Sequence, residues 1–322
     1  MFKGDRTTCL GVAWEIPSTV GNIIQTDSVS GDISFYVEQY RNNENFVCPT
    51  SLPGEIVQRP TVGALLSAYV APTSCNITVT GGQSIQTVGI DAASSGQTVC
   101  VDNGSYTGPV NVNRDITLVS LNGPSVTTIN GGIKITSSDA TIKGFTINAG
   151  TVSGEPNPVG FYVAGGSNIM IDSNDIIGNS SNSSGVLFVT SASYSNVKVT
   201  NNKIHDNNAG IYTNPHTGDL AINNNDIYDN NAGIGGFTGA TVQYNEFTNT
   251  TADGEAIGTD SSYDGFSIAS FNNFLNGSKI NDYGAAALVN AENNFFNLGG
   301  FNQTTSGQVD YNPEEGSAFP HN

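Results

Sequence analysis

The chain has 322 residues, of which only 12% are charged, and its 28 acidic residues against 10 basic ones give a formal net charge of −18 at pH 7. Nucleic acids and anionic membranes attract basic patches, so this balance argues against both as partners. The sequence also contains no apolar run of the roughly 18 residues that a membrane-spanning helix requires, which argues against membrane insertion.

The N-terminal part of the chain, residues 1–75, shows no internal repeat and predicts a separate cap or assembly module. Such a module would cover the core and the backbone groups that the open end of a repeat protein exposes. All four cysteines lie in the first third of the chain, which predicts two disulfides. Four cysteines allow three pairings, of which we favour Cys9 with Cys48 and Cys75 with Cys100.

The body of the chain repeats a short phrase in which an apolar residue follows an asparagine by two positions. The six asparagines, spaced 28, 23, 20, 27 and 21 residues apart, are Asn174, Asn202, Asn225, Asn245, Asn272 and Asn293. A period of about 20 to 30 residues predicts a solenoid of stacked coils. Segments such as Val197-Lys-Val199 alternate with the period of a β-strand. We therefore predict an all-β solenoid over residues 76–313, followed by a C-terminal tail, residues 314–322.

The asparagine column itself predicts a structural role. Equivalent side chains on neighbouring parallel strands lie about 4.8 Å apart, which lets stacked amides bond one another along the axis. Asparagine also tolerates the left-handed backbone conformation of a sharp corner.

These repeats resemble those of right-handed parallel β-helix proteins of the pectate-lyase-like superfamily. The segment Ser84–Ala93 is similar to the short amphipathic helix that opens this fold, and Gly96–Tyr106 is similar to its first coil. The resemblance implies the fold. It does not imply one activity, because the superfamily contains lyases, hydrolases, epimerases, adhesins and inert surface proteins.

Outward positions next to the asparagine column carry the candidate chemistry. The residues directly after the asparagines are Asp175, Lys203, Asp226 and Glu246 on four successive coils. In lyases of the pectate-lyase-like superfamily, which this chain resembles, a Lys or Arg removes a proton beside a uronate carboxylate while acidic residues bind calcium. The resemblance therefore makes Lys203 and the nearby His205 candidate catalytic residues, and the three carboxylates candidate Ca²⁺ ligands. No other cofactor is expected.

Two aromatic residues, Tyr212 and Tyr228, are candidates for stacking on sugar rings. The simpler interpretation of the charged positions is a solvated ladder of opposite charges on adjacent strands, which contributes at most about 1 kcal/mol to stability.

Three functions remain open from the sequence. We favour a secreted or surface-exposed structural or adhesive protein that self-assembles or binds surface glycans, because no complete catalytic motif is present. A calcium-dependent lyase of acidic polysaccharides is the first alternative. A phage or viral spike component that binds host glycans is the second, since Met1 is not followed by a signal sequence. All three predict an extracellular, cell-surface or virion-surface location.

Overall fold

The computed structural model describes residues 69–189, 192–213, 219–237, 240–248, 255–259, 267–270, 272–276, 278–282, 289–291, 294–296, 301–303 and 309–310. Most of the predicted N-terminal module, with Cys9 and Cys48, lies outside these residues, as do Asn293 and the predicted tail.

Short strands dominate the described chain. The strands of its first half are β1 (Ile77–Val79), β2 (Gln97–Val101), β3 (Gly104–Thr107), β4 (Val110–Val112), β5 (Ile116–Ser120), β6 (Thr127–Asn130), β7 (Ile133–Ile135), β8 (Thr141–Lys143), β9 (Thr146–Asn148), β10 (Gly150–Val152), β11 (Glu155–Val163), β12 (Gly166–Ser167), β13 (Met170–Asp172), β14 (Asp175–Ile177), β15 (Ser184–Phe188) and β16 (Tyr194–Ser195). Those that follow are β17 (Val197–Thr200), β18 (Lys203–His205), β19 (Ala209–Tyr212), β20 (Leu220–Asn223), β21 (Asp226–Tyr228), β22 (Ala232–Phe237), β23 (Ala240–Gln243), β24 (Glu246–Thr248), β25 (Glu255–Thr259), β26 (Ser267–Ser270), β27 (Asn273–Phe274), β28 (Lys279–Asp282), β29 (Val289–Asn290), β30 (Phe295–Phe296), β31 (Phe301–Gln303) and β32 (Val309–Asp310).

The strands assemble into three long parallel sheets. Sheet I has the order β1-β2-β5-β8-β13-β17-β20-β23-β26-β29-β32, sheet II has β3-β6-β9-β14-β18-β21-β24-β27-β30, and sheet III has β4-β7-β11-β15-β19-β22-β25-β28-β31. Each coil contributes one strand to each sheet, as β17, β18 and β19 do. Smaller pairings are the antiparallel β10 with β11 and the two-stranded β12 with β16. The predicted fold, a right-handed parallel β-helix, is confirmed.

Apolar residues stack in register to form the core. On sheet II, the residue two positions after each asparagine pairs with its equivalent on the next coil, as Ile176 does with Ile204 and Ile204 with Ile227. These side chains are fully buried. The aromatic rings of Phe247 and Phe274 continue the row, stacked with their centroids 5.1 Å apart.

A short helical turn, Ile85–Ile90, closes the N-terminal end of this core. The Ser84 hydroxyl accepts a hydrogen bond from the Thr87 backbone N–H at 3.2 Å, and both isoleucines of the turn are buried. The disulfide Cys75–Cys100, with its Cα atoms 5.7 Å apart, ties the chain entering β1 to strand β2. Among the described residues, no helix is long and apolar enough to cross a membrane.

Two corners of each coil are built differently. The corner from sheet I to sheet II, here called the amide corner, places a residue in the left-handed region directly before the buried asparagine. Examples are Asn201 with φ 55° and Asn224 with φ 57°. The side-chain carbonyl of asparagine interacts locally with the backbone and lowers the cost of this conformation.

The corner from sheet II to sheet III, here called the glycine corner, leads into a column of close backbone contacts within the strands of sheet III. Its members on successive coils are Gly160, Gly185, Gly210 and Gly233, followed by Ala256. A Cβ atom on Gly185 would lie 2.4 Å from the carbonyl oxygen of Gly210 and 2.6 Å from the side chain of Ile204. The coils stack at this spacing because the four glycines carry no side chain and Ala256 carries only a methyl group.

Candidate functional site

The buried asparagines form a continuous amide ladder along the amide corner. The Oδ1 atom of each asparagine after Asn174 accepts hydrogen bonds from the backbone N–H and the Nδ2 group of the asparagine one coil earlier, at 2.9 to 3.1 Å. The Nδ2 group also donates to a backbone carbonyl, as Asn225 does to Val199 at 2.9 Å. These amides are engaged within the protein, so we place the ladder outside the functional site.

The last described position of the ladder corrects the sequence alignment. Asn272 bonds to Asn294, one position after the predicted Asn293, which lies outside the described residues, and Phe274 pairs with Phe296. The final interval is therefore 22 residues. The structure also adds a second ladder that the sequence analysis missed, in which Asn207 donates to Asn230 at the glycine corner at 3.0 Å.

The predicted outward row lies on sheet II in one continuous register. Asp175 pairs with Lys203, Lys203 with Asp226, and Asp226 with Glu246. Lys203 is exposed, and none of the described carboxylates lies within 4.0 Å of its ammonium group. The strands thus bring these four residues side by side without forming a salt bridge to Lys203.

Two carboxylates hold the imidazole of His205. Its Nε2 atom lies 3.0 Å from Asp175 Oδ1, and its Nδ1 atom lies 2.7 Å from Asp206 Oδ2. Burial alone would lower the pKa of His205, but the hydrogen bonds and charges of the two carboxylates together raise it. Both ring nitrogens donate only when the ring is protonated, so the arrangement favours an imidazolium. His205 therefore has no free nitrogen with which to accept a proton from a substrate.

Asp226 and Glu246 form the acidic end of the row. Burial and, next, the charge of Glu246 raise the pKa of Asp226 to about 6. The Oε2 atom of Glu246 is buried and has no hydrogen-bond partner among the described residues. Burial beside a second carboxylate therefore keeps Asp226 protonated up to a pH of about 6.

The three predicted calcium ligands do not converge. Asp175 is separated from Asp226 by the strand that carries Lys203. Across the part of the chain that the structure describes, no three His, Cys, Asp or Glu side chains are grouped as metal ligands. Calcium takes six to eight oxygen ligands, and these residues do not fit such a site.

The two candidate tyrosines lie on different faces. Tyr228 is on sheet II, where its ring stacks on His205 with centroids 4.6 Å apart and an interplanar angle of 11°. Burial and then nearby carboxylates raise its pKa to about 12. Tyr212 is on sheet III, so it cannot act together with Tyr228 on one bound sugar ring.

Sheet III carries an open groove that the sequence analysis missed. The outward row beside it runs through Tyr162, Leu187 and Tyr212, and then reaches Gly235. The groove has a volume of about 680 Å³ and opens beside Tyr212, where Gly235 and Gly258 present no side chain. We call it the sheet III groove.

Polar groups surround the floor of the groove. Its lining contains four asparagines and two carboxylates, namely Asn157, Asn182, Asn208, Asn231, Glu155 and Glu255. A concave surface of this volume, with an aromatic ring and several converging amides, has the composition of a small-molecule or oligosaccharide site. The spacing in the sequence indicates this arrangement, because positions 212, 235 and 258, which hold Tyr, Gly and Gly, are 23 residues apart (235 − 212 and 258 − 235).

Comparison with known proteins identifies the fold of this chain. The model of the family described as right handed beta helix region matches residues 74–252. A search of curated protein sequences found no match.

Several solved structures are similar at low identity. An alginate lyase from Paenibacillus sp. str. FPU-7 is 15% identical, with a TM-score of 0.48, and the match covers 73% of this chain and 98% of the lyase. A pectin methylesterase from Aspergillus niger is 14% identical, with a TM-score of 0.44 and coverages of 78% and 93%. The carrot pectin methylesterase is 11% identical, with a TM-score of 0.45 and coverages of 74% and 90%. None of these similarities bears on the activity of this chain.

Proposed function

We propose that this chain, which belongs to the right-handed β-helix family, is an extracellular, noncatalytic protein that binds a glycan in the sheet III groove. The groove is the observation that carries the proposal. A pyranose ring presents C–H groups on its faces and hydroxyl groups at its edge. An aromatic side chain packs against the C–H groups of the face. Amides, which both donate and accept hydrogen bonds, bind the hydroxyl groups of the edge.

The contacts around Tyr212 support this assignment. The ring lies against the backbone of Gly235, where an added Cβ would be 3.0 Å from the ring atom Cδ2. This contact fixes one side of the ring, and the ring contributes to the lining of the groove. A ring already held in place loses little conformational entropy when a ligand packs against it.

The geometry of sheet II supports the noncatalytic part of the proposal. A proton abstraction needs a base within hydrogen-bond reach of its substrate and with a free lone pair. His205 is held at both nitrogens, and the proposed calcium ligands do not converge. His205, Asp175 and Asp206 instead form a structural cluster of ion pairs.

The extracellular location rests on the Cys75–Cys100 disulfide, because such bonds persist mainly in oxidising environments. A virion spike would use the same glycan-binding groove in another setting. Self-assembly through the N-terminal module stays a prediction, which light scattering at increasing protein concentration tests.

Binding measurements on an array of oligosaccharides, followed by calorimetry on the best ligand, test the proposal. We expect Tyr212→Ala to weaken binding at least tenfold, about 1.4 kcal/mol. Tyr228→Ala, which removes a tyrosine from sheet II, is the matched control and should bind like the wild type. The protein should be made in a bacterial host, because Asn182 at the groove begins an Asn-Ser-Ser glycosylation sequon.

The lyase alternative is tested on the same panel by absorbance of unsaturated uronate products. The continuous register of Lys203 between Asp175 and Asp226 is the observation that favours it. Product that forms with the wild type and disappears in Lys203→Ala would overturn the noncatalytic proposal. The absence of glycan binding by the wild-type protein would overturn the binding proposal itself.

A further inference from the structure

We infer that Asn182 is a site of N-linked glycosylation when the chain is secreted through a pathway that glycosylates sequons, and that the attached glycan lies in the sheet III groove. This inference rests on the proposed function and concerns its regulation, because an attached glycan competes with a free one for the same groove. Of the four asparagines that line the groove, only Asn182 begins an Asn-x-Ser/Thr sequon, which is completed by Ser184.

The side chain of Asn182 is available to carry a glycan. It is exposed, and no hydrogen bond holds it among the described residues. Asn179 begins a second sequon in the same loop, but its Nδ2 group, the atom to which a glycan is attached, donates to the carbonyl of Ala149 on the preceding coil at 2.6 Å. The nitrogen of Asn179 is therefore directed against the protein, whereas that of Asn182 is not.

The loop that carries Asn182 is anchored beside the groove. Ser183 is fully buried, and its hydroxyl donates to the carbonyl of Ser180 at 2.8 Å. The carbonyl of Ser183 accepts hydrogen bonds from the backbone N–H groups of Asn208 at 2.9 Å and Ala209 at 3.2 Å, and both of these residues line the groove. These contacts fix the backbone next to Asn182, so a glycan attached there begins at the wall of the groove.

The strand register gives the distance from Asn182 to the Tyr212 ring. Leu187 pairs with Tyr212 on the neighbouring strand, and it follows Asn182 by five residues (187 − 182). At about 3.3 Å per residue and about 4.8 Å between strands, the separation is roughly 17 Å. A glycan of several sugar units spans this distance, so the attached chain reaches the ring on which the proposed binding depends.

Attachment raises the local concentration of the glycan at the groove. A ligand joined through a short flexible link has an effective concentration of about 1 mM. An attached glycan that binds with a dissociation constant of about 0.1 mM then fills the groove about nine-tenths of the time, and the apparent dissociation constant of a free glycan rises about tenfold.

The experiment compares the same polypeptide from two hosts. The wild type, Ser184→Ala and Thr78→Ala are each made in bacteria, where the sequons stay unmodified, and secreted from yeast. Ser184→Ala removes the sequon but keeps Asn182. Thr78→Ala is the control, because it removes the sequon of Asn76 at an exposed position of sheet I. Each variant is compared with itself between hosts, so a direct effect of the substitution on binding cancels.

Glycopeptide mass spectrometry and calorimetry supply the two readouts. We expect the secreted wild type to carry a glycan at Asn182 and to bind the best oligosaccharide of the array about tenfold more weakly than the bacterial wild type, as should Thr78→Ala. The two preparations of Ser184→Ala should agree within about twofold.

A second measurement needs no substitution. An endoglycosidase that leaves one N-acetylglucosamine on the asparagine removes the part of the glycan that extends along the groove. Treatment of the secreted wild type should therefore restore its affinity to within about threefold of the bacterial protein. This comparison decides the matter if the bacterial Ser184→Ala protein does not bind, because Ser184 itself lines the groove.

The outcomes separate the two proposals. If the bacterial wild type binds no glycan, the proposed function fails, and this inference fails with it. If the bacterial wild type binds but the secreted protein carries no glycan at Asn182, this inference alone is overturned. A glycan at Asn182 that leaves the affinity unchanged, or a weakened affinity that trimming does not restore, also overturns it.

Discussion

The two corners that bound sheet II use buried asparagines to different extents. At the amide corner, every described coil from Asn174 onward places a buried asparagine, and the ladder of amides supplies the hydrogen bonds that the turning backbone lacks. At the glycine corner, a Cβ added to any of Gly160, Gly185, Gly210 and Gly233 would lie 2.4 to 2.7 Å from a carbonyl oxygen of the next coil, and Ala256 carries only a methyl group at the equivalent position. The amide corner is held by a continuous ladder of amides, whereas the glycine corner combines the shorter amide pair Asn207 and Asn230 with glycines that let the backbones approach closely.

This difference shapes the outer faces that follow each corner. After the amide corner, sheet II keeps a side chain at each outward position from Asp175 to Glu246, and the face is filled by charges. After the glycine corner, sheet III continues into further glycines at positions 235 and 258, and the face opens into a groove. A regular solenoid therefore acquires a concave surface where its outward row loses side chains.

The largest effect should come from breaking the amide corner. Asn225→Ala removes the acceptor of two hydrogen bonds from Asn202, each 3.0 Å long, and leaves buried donors unsatisfied. Each such group costs about 1 to 3 kcal/mol, so we expect unfolding free energy to fall by about 3 kcal/mol or more. Urea denaturation followed by circular dichroism measures this. Lys198→Ala, at an exposed position of the preceding coil, should change it by less than about 0.5 kcal/mol. A similar loss in both variants would contradict the structural role of the ladder.

The glycine corner should be somewhat less sensitive. In Gly185→Ala the new Cβ would meet the backbone oxygen of Gly210 at 2.4 Å, and backbone cannot move aside as a side chain can. Overpacking of this kind costs about 1 to 3 kcal/mol. Gly235→Ala is the matched control, because its new Cβ meets only the Tyr212 ring, at 3.0 Å. The same denaturation assay should give a clearly larger loss for Gly185→Ala, and equal losses would refute the close-approach account.

The amide corner was readable from the sequence and the glycine corner was not. A buried asparagine two positions before an apolar residue gives both an offset and a spacing, and these predicted the neighbours of Lys203 on sheet II correctly. The alignment was wrong only at Asn293, because Asn293-Asn294 followed by Phe295-Phe296 satisfies the same rule in two registers. The longer interval, which pairs Asn272 with Asn294, is the one that the hydrogen bonds select.

The groove could not be found by searching for chemical groups. Its floor is formed by glycines, which have no side chain to search for. Its aromatic residue, Tyr212, can be recognised as part of the groove only from the strand register, which places it beside Gly235. The contacts of His205 were likewise hidden, because sequence spacing gives the row on which a side chain lies but not the atoms that its ring nitrogens reach.

The charged face of sheet II should become more stable when one of its acids is neutralised. Since the folded protein raises the pKa of Asp226 from 3.8 to about 6, its contribution is fully favourable below 3.8 and is lost as pH rises through about 6. At pH 7.5 we therefore expect Asp226→Asn to raise unfolding free energy by about 1 kcal/mol after solvent screening, and at pH 4 by much less. Thermal denaturation at the two pH values measures the difference. Asp219→Asn, on an exposed position, is the control, and a gain that does not depend on pH would argue against the raised pKa.

The smallest effect should come from His205, and its sign distinguishes a structural charge pair from a free base. Because Asp175 and Asp206 raise the pKa of the ring, the stability from protonated His205 is fully present below the ordinary value of 6.5 and is lost as pH rises through the raised value. His205→Gln should therefore cost about 0.5 kcal/mol at pH 6 and less at pH 9.

His205→Gln is best compared with its parent in the Asp226→Asn background. The contribution of Asp226 to the free energy of unfolding also decreases as pH rises, and this background removes it. Removing that titration leaves His205 as the group whose contribution is compared between pH 6 and pH 9. A difference that stays constant over this range would mean that the carboxylates do not hold an imidazolium. His205 would then again be available as a base, and sheet II would have to be reconsidered as a catalytic face.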